Sequence, residues 1–365
     1  MRTFYGCDAH KKYSLFVGMD EAGHTGSPVR VEHERLEFRS FLETLPPNSP
    51  IALETVGNWY WMIEEIEKAG HLPFLTHARK AKLMMGEINK TDKLDARGLA
   101  LLMRNGTLPS VWIPPGELRD QRELPRMRMA LVRVRTMLKN RIHACLAKFA
   151  IRIEEVTDLF GVRGRQLLEK RLMELPPYTR RSVEVQLAVL DQVEEQIGRC
   201  EKQIQEVVAI TPEMKLLMTE PGVGMILAIV IALEIGKVDR FPNCERLASY
   251  AGTVPRVHSS GGRTYYGRVR PDVNRYLKWA FVEAANGIVL QQHRLPDHHA
   301  IRLYRRIRAS KGHGKAIVAV ARHLAEATYW VLKKGEPYRE PQNHKVPLPT
   351  RKEARRSHES SRLVH

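Results

Sequence analysis

The chain has 365 residues, 43% of them apolar and 27% charged, so most of it can build packed cores and global disorder is excluded. Lys and Arg number 59 against 41 Asp and Glu; the resulting net charge of +18 calls for a polyanionic partner, with nucleic acid first in line. The longest apolar run, Val223 to Leu233, has 11 residues, well short of the roughly 20 that a bilayer-spanning helix needs, so no membrane association is expected.

The N-terminal MRTFYGCDAHKKYS has no apolar stretch of the signal-peptide kind. The four cysteines, Cys7, Cys145, Cys200 and Cys244, form no CxxC pair, which argues against a zinc ribbon or disulfide framework and for a reducing cytosol. Residues 3 to 19 read as two strands joined by a polar turn at His10-Lys11-Lys12, and Arg30 to Leu36 as a third strand. Phe38 to Leu45 has helical spacing and ends at Pro46-Pro47. Pro50 to Glu54 is a short buried strand, Trp59 to Ala69 a helix stopped by Gly70, and Pro73 to Leu75 another strand. Strands alternating with helices predict an α/β sheet over 1–115. Thr91 to Met103 is an amphipathic helix.

A helical middle region is expected over 116–210. Leu118 to Phe149 carries Leu131, Val134, Leu138, Ile142, Cys145 and Phe149 at three- and four-residue steps between basic flanks. Ser182 to Val208 has Val183, Leu190, Ile197 and Ile204 in heptad register, with Val193, Cys200 and Val207 at the second apolar position. That coiled-coil pattern suits an intrachain helical hairpin and a dimerisation stalk equally. A mainly α region over 211–335 opens with Met214 to Thr219, Pro221-Gly222-Val223-Gly224 and an apolar helix to Ile235, in the manner of a helix-hairpin-helix. Backbone amides at Gly222 and Gly224 could there approach a DNA phosphate, although any tight helical turn favours glycine. Gly252 to Gly267 is a loop or hairpin; Asn274 to Leu290 and Gly314 to Lys334 are helices. The basic tail, 336–365, has prolines, charges and no apolar period, and is expected to be disordered.

Four carboxylates stand out. Asp8 and Glu54 each end a strand, and Asp92 and Asp95 share one face at the start of a helix. Such a set suits paired Mg²⁺ ions, because hard cations take oxygen ligands and two of them can hold the attacking and leaving oxygens of a phosphodiester. Taken singly, each acid is equally a turn or helix-start residue. The segments Gly6-Cys7-Asp8-Ala9-His10-Lys11, Ala52-Leu53-Glu54-Thr55-Val56-Gly57 and Lys90-Thr91-Asp92-Lys93-Leu94-Asp95-Ala96 resemble, in order and spacing, the DEDD transposases of bacterial insertion sequences. This is the family numbered one hundred and ten in insertion-sequence naming, related to the Piv DNA invertases. The resemblance implies a RuvC-like, RNase H-type N-terminal domain in which Asp8, Glu54, Asp92 and Asp95 are the Mg²⁺-binding acids.

The resemblance continues through PGVG, RFPNCERLASYAG, Pro255, Ser259-Ser260-Gly261-Gly262, Gly267 and Asn274, and covers roughly residues 4 to 335. It implies that Ser260 is the nucleophile, with Ser259 the fallback. A glycine commonly precedes the family's asparagine, whereas Val273 precedes Asn274 here, which detaches Asn274 from any inherited role. Arg256, Arg263, Arg268 and Arg270 can balance phosphate charge around the serine. No general base is evident: His258 can share a strand face with Ser260, and metal-assisted deprotonation is equally open. The family's properties further imply a phosphoserine–DNA intermediate, a structured noncoding guide RNA pairing with donor and target DNA, a homo-oligomer (dimer or tetramer), and a bacterial cytoplasmic, nucleoid-associated location. Two other functions fit the residues less fully: a RuvC-like junction resolvase using water as nucleophile, which needs no serine, and a non-enzymatic nucleic-acid-binding protein that keeps the fold.

Overall fold

The structure, a computed structural model, describes residues 2–55, 57–85, 91–269 and 272–341. The chain forms two compact units, Met1–Arg119 and Asp120–His365.

The first unit runs β1 (Phe4–Ala9), β2 (Tyr13–Met19), β3 (Val29–Glu32), α1 (Arg35–Glu43), β4 (Pro50–Glu54), α2 (Trp59–Lys68), β5 (Leu72–Thr76), α3 (Ala78–Met85), α4 (Asp92–Arg104) and β6 (Ser110–Val111), with α5 (Gly116–Gln121) spanning its end. The strands form one mixed sheet in the order β3-β2-β1-β4-β5-β6, with β1, β4 and β5 parallel at its centre. Period-2 alternation divides the core between the faces. Cys7, Ala9, Ile51 and Leu53 pack with Phe38, Leu42, Met62, Ile63 and Ile66 of α1 and α2. Ala52 and the half-buried Phe4 pack on the other face with Ala81, Leu99, Leu102 and Met103 of α3 and α4. The expected third strand stops at Glu32, because α1 already starts at Arg35 and sends Phe38 and Leu42 into the core.

Among the described residues the second unit is helical apart from one hairpin. It contains α6 (Glu123–Lys148), α7 (Val162–Arg171), α8 (Pro177–Val207), α9 (Pro212–Leu217), α10 (Met225–Ile235), α11 (Cys244–Tyr250), β7 (Pro255–Ser260), β8 (Arg263–Val269), α12 (Arg275–Leu290), α13 (His299–Lys311) and α14 (His313–Lys334). The single helix expected over 118–149 is interrupted at Arg122, where Pro125 has no N–H to return to the preceding turn. Its buried seam is Met129, Leu138, Ile142 and Leu146; Val134 and Phe149 of the expected seam are exposed.

Helices α6 and α8 run antiparallel, since Arg128 pairs with Glu201, Lys139 with Glu194, and Arg141 with Gln186. Leu138, Ile142 and Leu146 meet Val183, Leu187, Leu190, Val193 and Ile197, so α6 fills the heptad seam within the chain. Val207, expected in that seam, is exposed. Helices α9 to α14 enclose the largest core, in which Ile231, Phe281, Val320 and Leu324 are fully buried. The first residues of the expected disordered tail instead fold back on the end of α9: the Tyr338 amide donates to Thr219 Oγ1 at 2.8 Å. Residues 342–365 of the tail lie outside the described residues, as do Val56, Lys90 and Arg270 of the motifs.

Candidate active site

Asp8 and Glu54 sit side by side. The parallel pairing of Gly6 with Ala52 and of Cys7 with Leu53 brings the next residue of each strand, an acid in both cases, to the same sheet end. Both acids follow the even-numbered alternation that faces α4. Helix α4 delivers the other two. Thr91 caps it, its Oγ1 accepting from the Leu94 amide at 3.3 Å, and Asp92 and Asp95 occupy the first turn, where the helix dipole favours carboxylates. The helix can lie this close to β1 because Gly6 has no side chain: a Cβ there would stand 1.8 Å from the Ala96 carbonyl oxygen and 2.8 Å from the Ala100 nitrogen.

The sequence reading placed His10 in a turn, but the structure puts it among the acids. Its Nε2 stands 3.2 Å from Asp8 Oδ2 and 3.0 Å from Asp92 Oδ2. Tyr13 donates its hydroxyl to the same Asp92 oxygen at 3.1 Å, its ring lies 4.7 Å from the His10 ring, and the Arg30 guanidinium sits 3.9 Å over the Tyr13 ring. Asn58 Nδ2 donates to the His10 carbonyl at 3.2 Å. The signal was available: two residues after Asp8, His10 can share its face if the extended backbone continues past the strand. Burial pushes the Asp8 carboxyl above its ordinary range; His10 opposes this, and Asp95 and then Asp92 add to it. A half-buried carboxylate flanked by two others fits a divalent cation, which takes oxygen ligands. Donor atoms of Asp8, His10 and Asp92 all lie within 4.8 Å of one another, and Nε2 is buried.

Ser260 belongs to the second unit. It closes the β7–β8 hairpin opposite Arg263, across a two-residue turn in which Gly261 (φ 55°) and Gly262 (φ 74°) supply the left-handed backbone of a type I′ turn. The register sets His258 opposite Tyr265, so Ser260, Arg263, His258 and Tyr265 share one exposed face. Ser259 is on the other face, its hydroxyl 3.4 Å from that of Thr264. Arg256 and Arg268 are exposed on the same hairpin. Its foot is pinned by Gly252, whose absent Cβ would meet Val273 Cγ2 at 2.5 Å, and by the Asn274 amide donating to the Tyr250 carbonyl at 2.9 Å.

The two glycines of the PGVG turn differ. Gly222 (φ 75°) is pressed on α12, where a Cβ would lie 2.3 Å from the Ala284 carbonyl oxygen, so packing requires it. Gly224 precedes α10 with open space around it. The sequence reading also missed a buried polar cluster. Glu234, 2% exposed, accepts from Arg126 Nε at 2.7 Å and from Asn274 Nδ2 at 2.8 Å, while Arg122 Nε donates to the Leu233 carbonyl at 2.8 Å. Asn274 also caps α12, its Oδ1 accepting from the Tyr276 and Leu277 amides.

No helix among the described residues is long and apolar enough to cross a membrane. Residues 5–151 match a family model named for the DEDD transposases of IS110 and described as a transposase. Residues 214–301 match the model described as the transposase IS116/IS110/IS902 family. The chain is 28% identical to a probable family 20 transposase of Pseudomonas aeruginosa, over 78% of this chain and 83% of that protein. It is 25% identical to the transposase for insertion sequence element IS1111A of Coxiella burnetii, over 92% and 90% of the two chains. It is also 25% identical to the pilin gene-inverting protein of Moraxella bovis, over 79% and 81%.

Proposed function

Since the chain belongs to the IS116/IS110/IS902 family of transposases, we propose that it cuts and rejoins DNA through a Mg²⁺ site on Asp8, Glu54, Asp92 and Asp95 and a serine nucleophile, Ser260. The observation that carries this reading is the convergence of Asp8 and Asp92, 84 positions apart in sequence, on a single nitrogen of His10 at 3.2 and 3.0 Å. Bound Mg²⁺ supplies charge neutralisation and Lewis acidity at a scissile phosphate. Ser260 Oγ attacks the phosphorus and loses its proton, the strand's P–O bond breaks, and the departing strand end leaves as a hydroxyl. Attack by a strand hydroxyl on the phosphoserine then restores the serine and reseals DNA, so the phosphodiester energy is kept. Arg263, beside Ser260, and Arg256 and Arg268 on the same hairpin offset the phosphate charge.

The strand order, with three parallel central strands and acids at the carboxyl ends of β1 and β4, supports a RuvC-like, RNase H-type domain. The surplus of +18 supports binding of DNA and of a structured guide RNA together, in a cytoplasmic protein acting on the nucleoid. Met137 on α6 and Val185 and Val189 on α8 are exposed apolar residues outside the intrachain seam, which supports a homo-oligomer formed through this helical hairpin.

The test is covalent capture. Protein, Mg²⁺, element-encoded RNA and end-labelled donor and target DNA are incubated, and label is sought on denatured protein. Wild type is expected to carry label, and Ser260→Ala and Asp8→Ala to carry none. Cleavage without attached label, kept in Ser260→Ala and lost in Asp8→Ala, would replace this mechanism with that of a water-using nuclease.

A further inference from the structure

His10 is placed where a metal ligand would be placed. Its Nε2 is buried and stands within 3.2 Å of two carboxylate oxygens, one from β1 and one from α4. A nitrogen aimed between two acceptors faces the point that a cation shared with them would take. The spacing agrees. Neighbouring ligands on an octahedral ion with bonds of 2.0–2.1 Å stand about 3.0 Å apart, and Nε2 is 3.0 Å from Asp92 Oδ2 and 3.2 Å from Asp8 Oδ2.

The surroundings hold this arrangement. Asn58 fixes the His10 carbonyl, the Tyr13 ring lies against the imidazole, and the Tyr13 hydroxyl ties down the Asp92 oxygen that faces Nε2. Such outer contacts orient ligands in metal sites. Neither Lys11 nor Lys12, the next residues, is within ion-pair distance of Asp8 or Asp92, so His10 is the basic side chain that reaches these acids among the described residues.

We infer that His10 is a third side-chain ligand of the cation held by Asp8 and Asp92, making the site a mixed nitrogen–oxygen one that holds Mn²⁺ more tightly than Mg²⁺. The inference rests on the metal site proposed above and adds to it a nitrogen donor that a set of four acids lacks. Carboxylates suit Mg²⁺ and Mn²⁺ alike, whereas imidazole adds affinity for the transition ion. The neutral imidazole binds through the Nε2 lone pair, with its proton on Nδ1.

The experiment uses the full chain and Mn²⁺ alone as the probe. Pulsed electron paramagnetic resonance reads nitrogen coupled to bound Mn²⁺, and titration reads affinity. Wild type is expected to show imidazole-nitrogen coupling. His10→Ala is expected to keep a bound ion without that coupling and to lose Mn²⁺ affinity about tenfold or more, the loss that even an outer-shell partner can carry. His10→Gln, which returns an oxygen donor, is expected to recover Mg²⁺ affinity but not the nitrogen signal. Mn²⁺ bound by wild type without nitrogen coupling, or coupling that persists in His10→Ala, overturns the role of His10 and leaves the acid site standing. Mn²⁺ absent from wild type, or bound equally by Asp8→Asn, overturns the acid site itself and His10 with it.

Discussion

Gly6 and Ala96 approach so closely that a Cβ on Gly6 would stand 1.8 Å from the Ala96 carbonyl oxygen. This contact sets the distance between β1 and α4, and so between Asp8, two residues along the strand, and Asp92 and Asp95, four residues and one residue along the helix from Ala96. The obstructing atom is backbone and has no rotamer to escape into. Gly6→Ala is therefore expected to cost about 3 kcal/mol, the upper end of ordinary overpacking. It is also expected to weaken Mn²⁺ binding although no ligand changes. Urea denaturation with and without Mn²⁺ checks both; an unchanged midpoint would mean that α4 sits further from β1.

Asp8 illustrates the conflict between stability and chemistry. Its carboxyl is half-buried and faces Asp95 and Asp92, and His10 offsets only part of that burden. Asp8→Asn is expected to raise the urea midpoint in EDTA, because it removes a charge that the ion-free fold disfavours. With Mg²⁺ at 100 times its dissociation constant, wild type gains about 2.7 kcal/mol by linkage, and the variant gains none. The two proteins are thus expected to exchange rank on adding Mg²⁺. A variant less stable in both conditions would show that Asp8 serves packing rather than ion binding.

Periodicity exposed the long helices and the shared face of Asp92 and Asp95, because each depends on neighbours within one or two turns; the four acids are joined as a set by the family resemblance. Asp92 and Asp95 are three apart, and Val183, Leu190, Ile197 and Ile204 mark one buried stripe of α8. What stayed hidden depends on residues far apart. His10 looks like a turn residue until Asp92 folds onto it. Asn274, without an inherited role in the sequence reading, becomes a helix cap bound to Glu234, 40 positions away. The packing of Tyr338 on Thr219 leaves no mark in a proline-rich composition, and β6 has only 2 residues, too few to show alternation.

Glu220 predicts a pH response in the second unit. It is 2% exposed, its Oε2 accepts from Thr328 Oγ1 at 3.0 Å, and burial pushes its carboxyl up from 4.5 to about 8. The folded value lies above the unfolded one, so its stabilising contribution is complete below pH 4.5 and is lost as pH rises through about 8. The stability difference between wild type and Glu220→Gln is expected to shift against wild type across that window, by at most about 1.4 kcal/mol per pH unit. Taking the difference cancels other titrating groups. His323, pushed down to about 4, acts in the opposite sense, giving stability that is lost as pH falls from 6.5 toward 4. A difference independent of pH from 5 to 8 would place the Glu220 carboxylate in a solvated site.

Glu234 and Asn274 join the buried arginines to the foot of the serine hairpin. Glu234→Ala strips the carboxylate from Arg126, which it holds at 2.7 and 3.1 Å, and from its neighbour Arg122, 4% exposed. Removing this carboxylate is expected to cost about 3 kcal/mol, the lower end for a buried pair, because Arg126 keeps Glu123 at 3.5 Å and Arg122 keeps the Leu233 carbonyl. Asn274→Ala removes the cap of α12 and the 2.8 Å bond to Glu234, for about 1–2 kcal/mol. Because the two residues share that bond, the double variant is expected to lose less than the sum, by about 0.5 kcal/mol or more. The Asn274 side chain also anchors the chain just after β8, its Nδ2 donating to the Tyr250 hydroxyl at 3.3 Å. Asn274→Ala should accordingly speed protease cleavage within 255–269 more than it lowers global stability. Uniform acceleration at all sites would reduce Asn274 to a helix cap with no hold on the hairpin that carries Ser260.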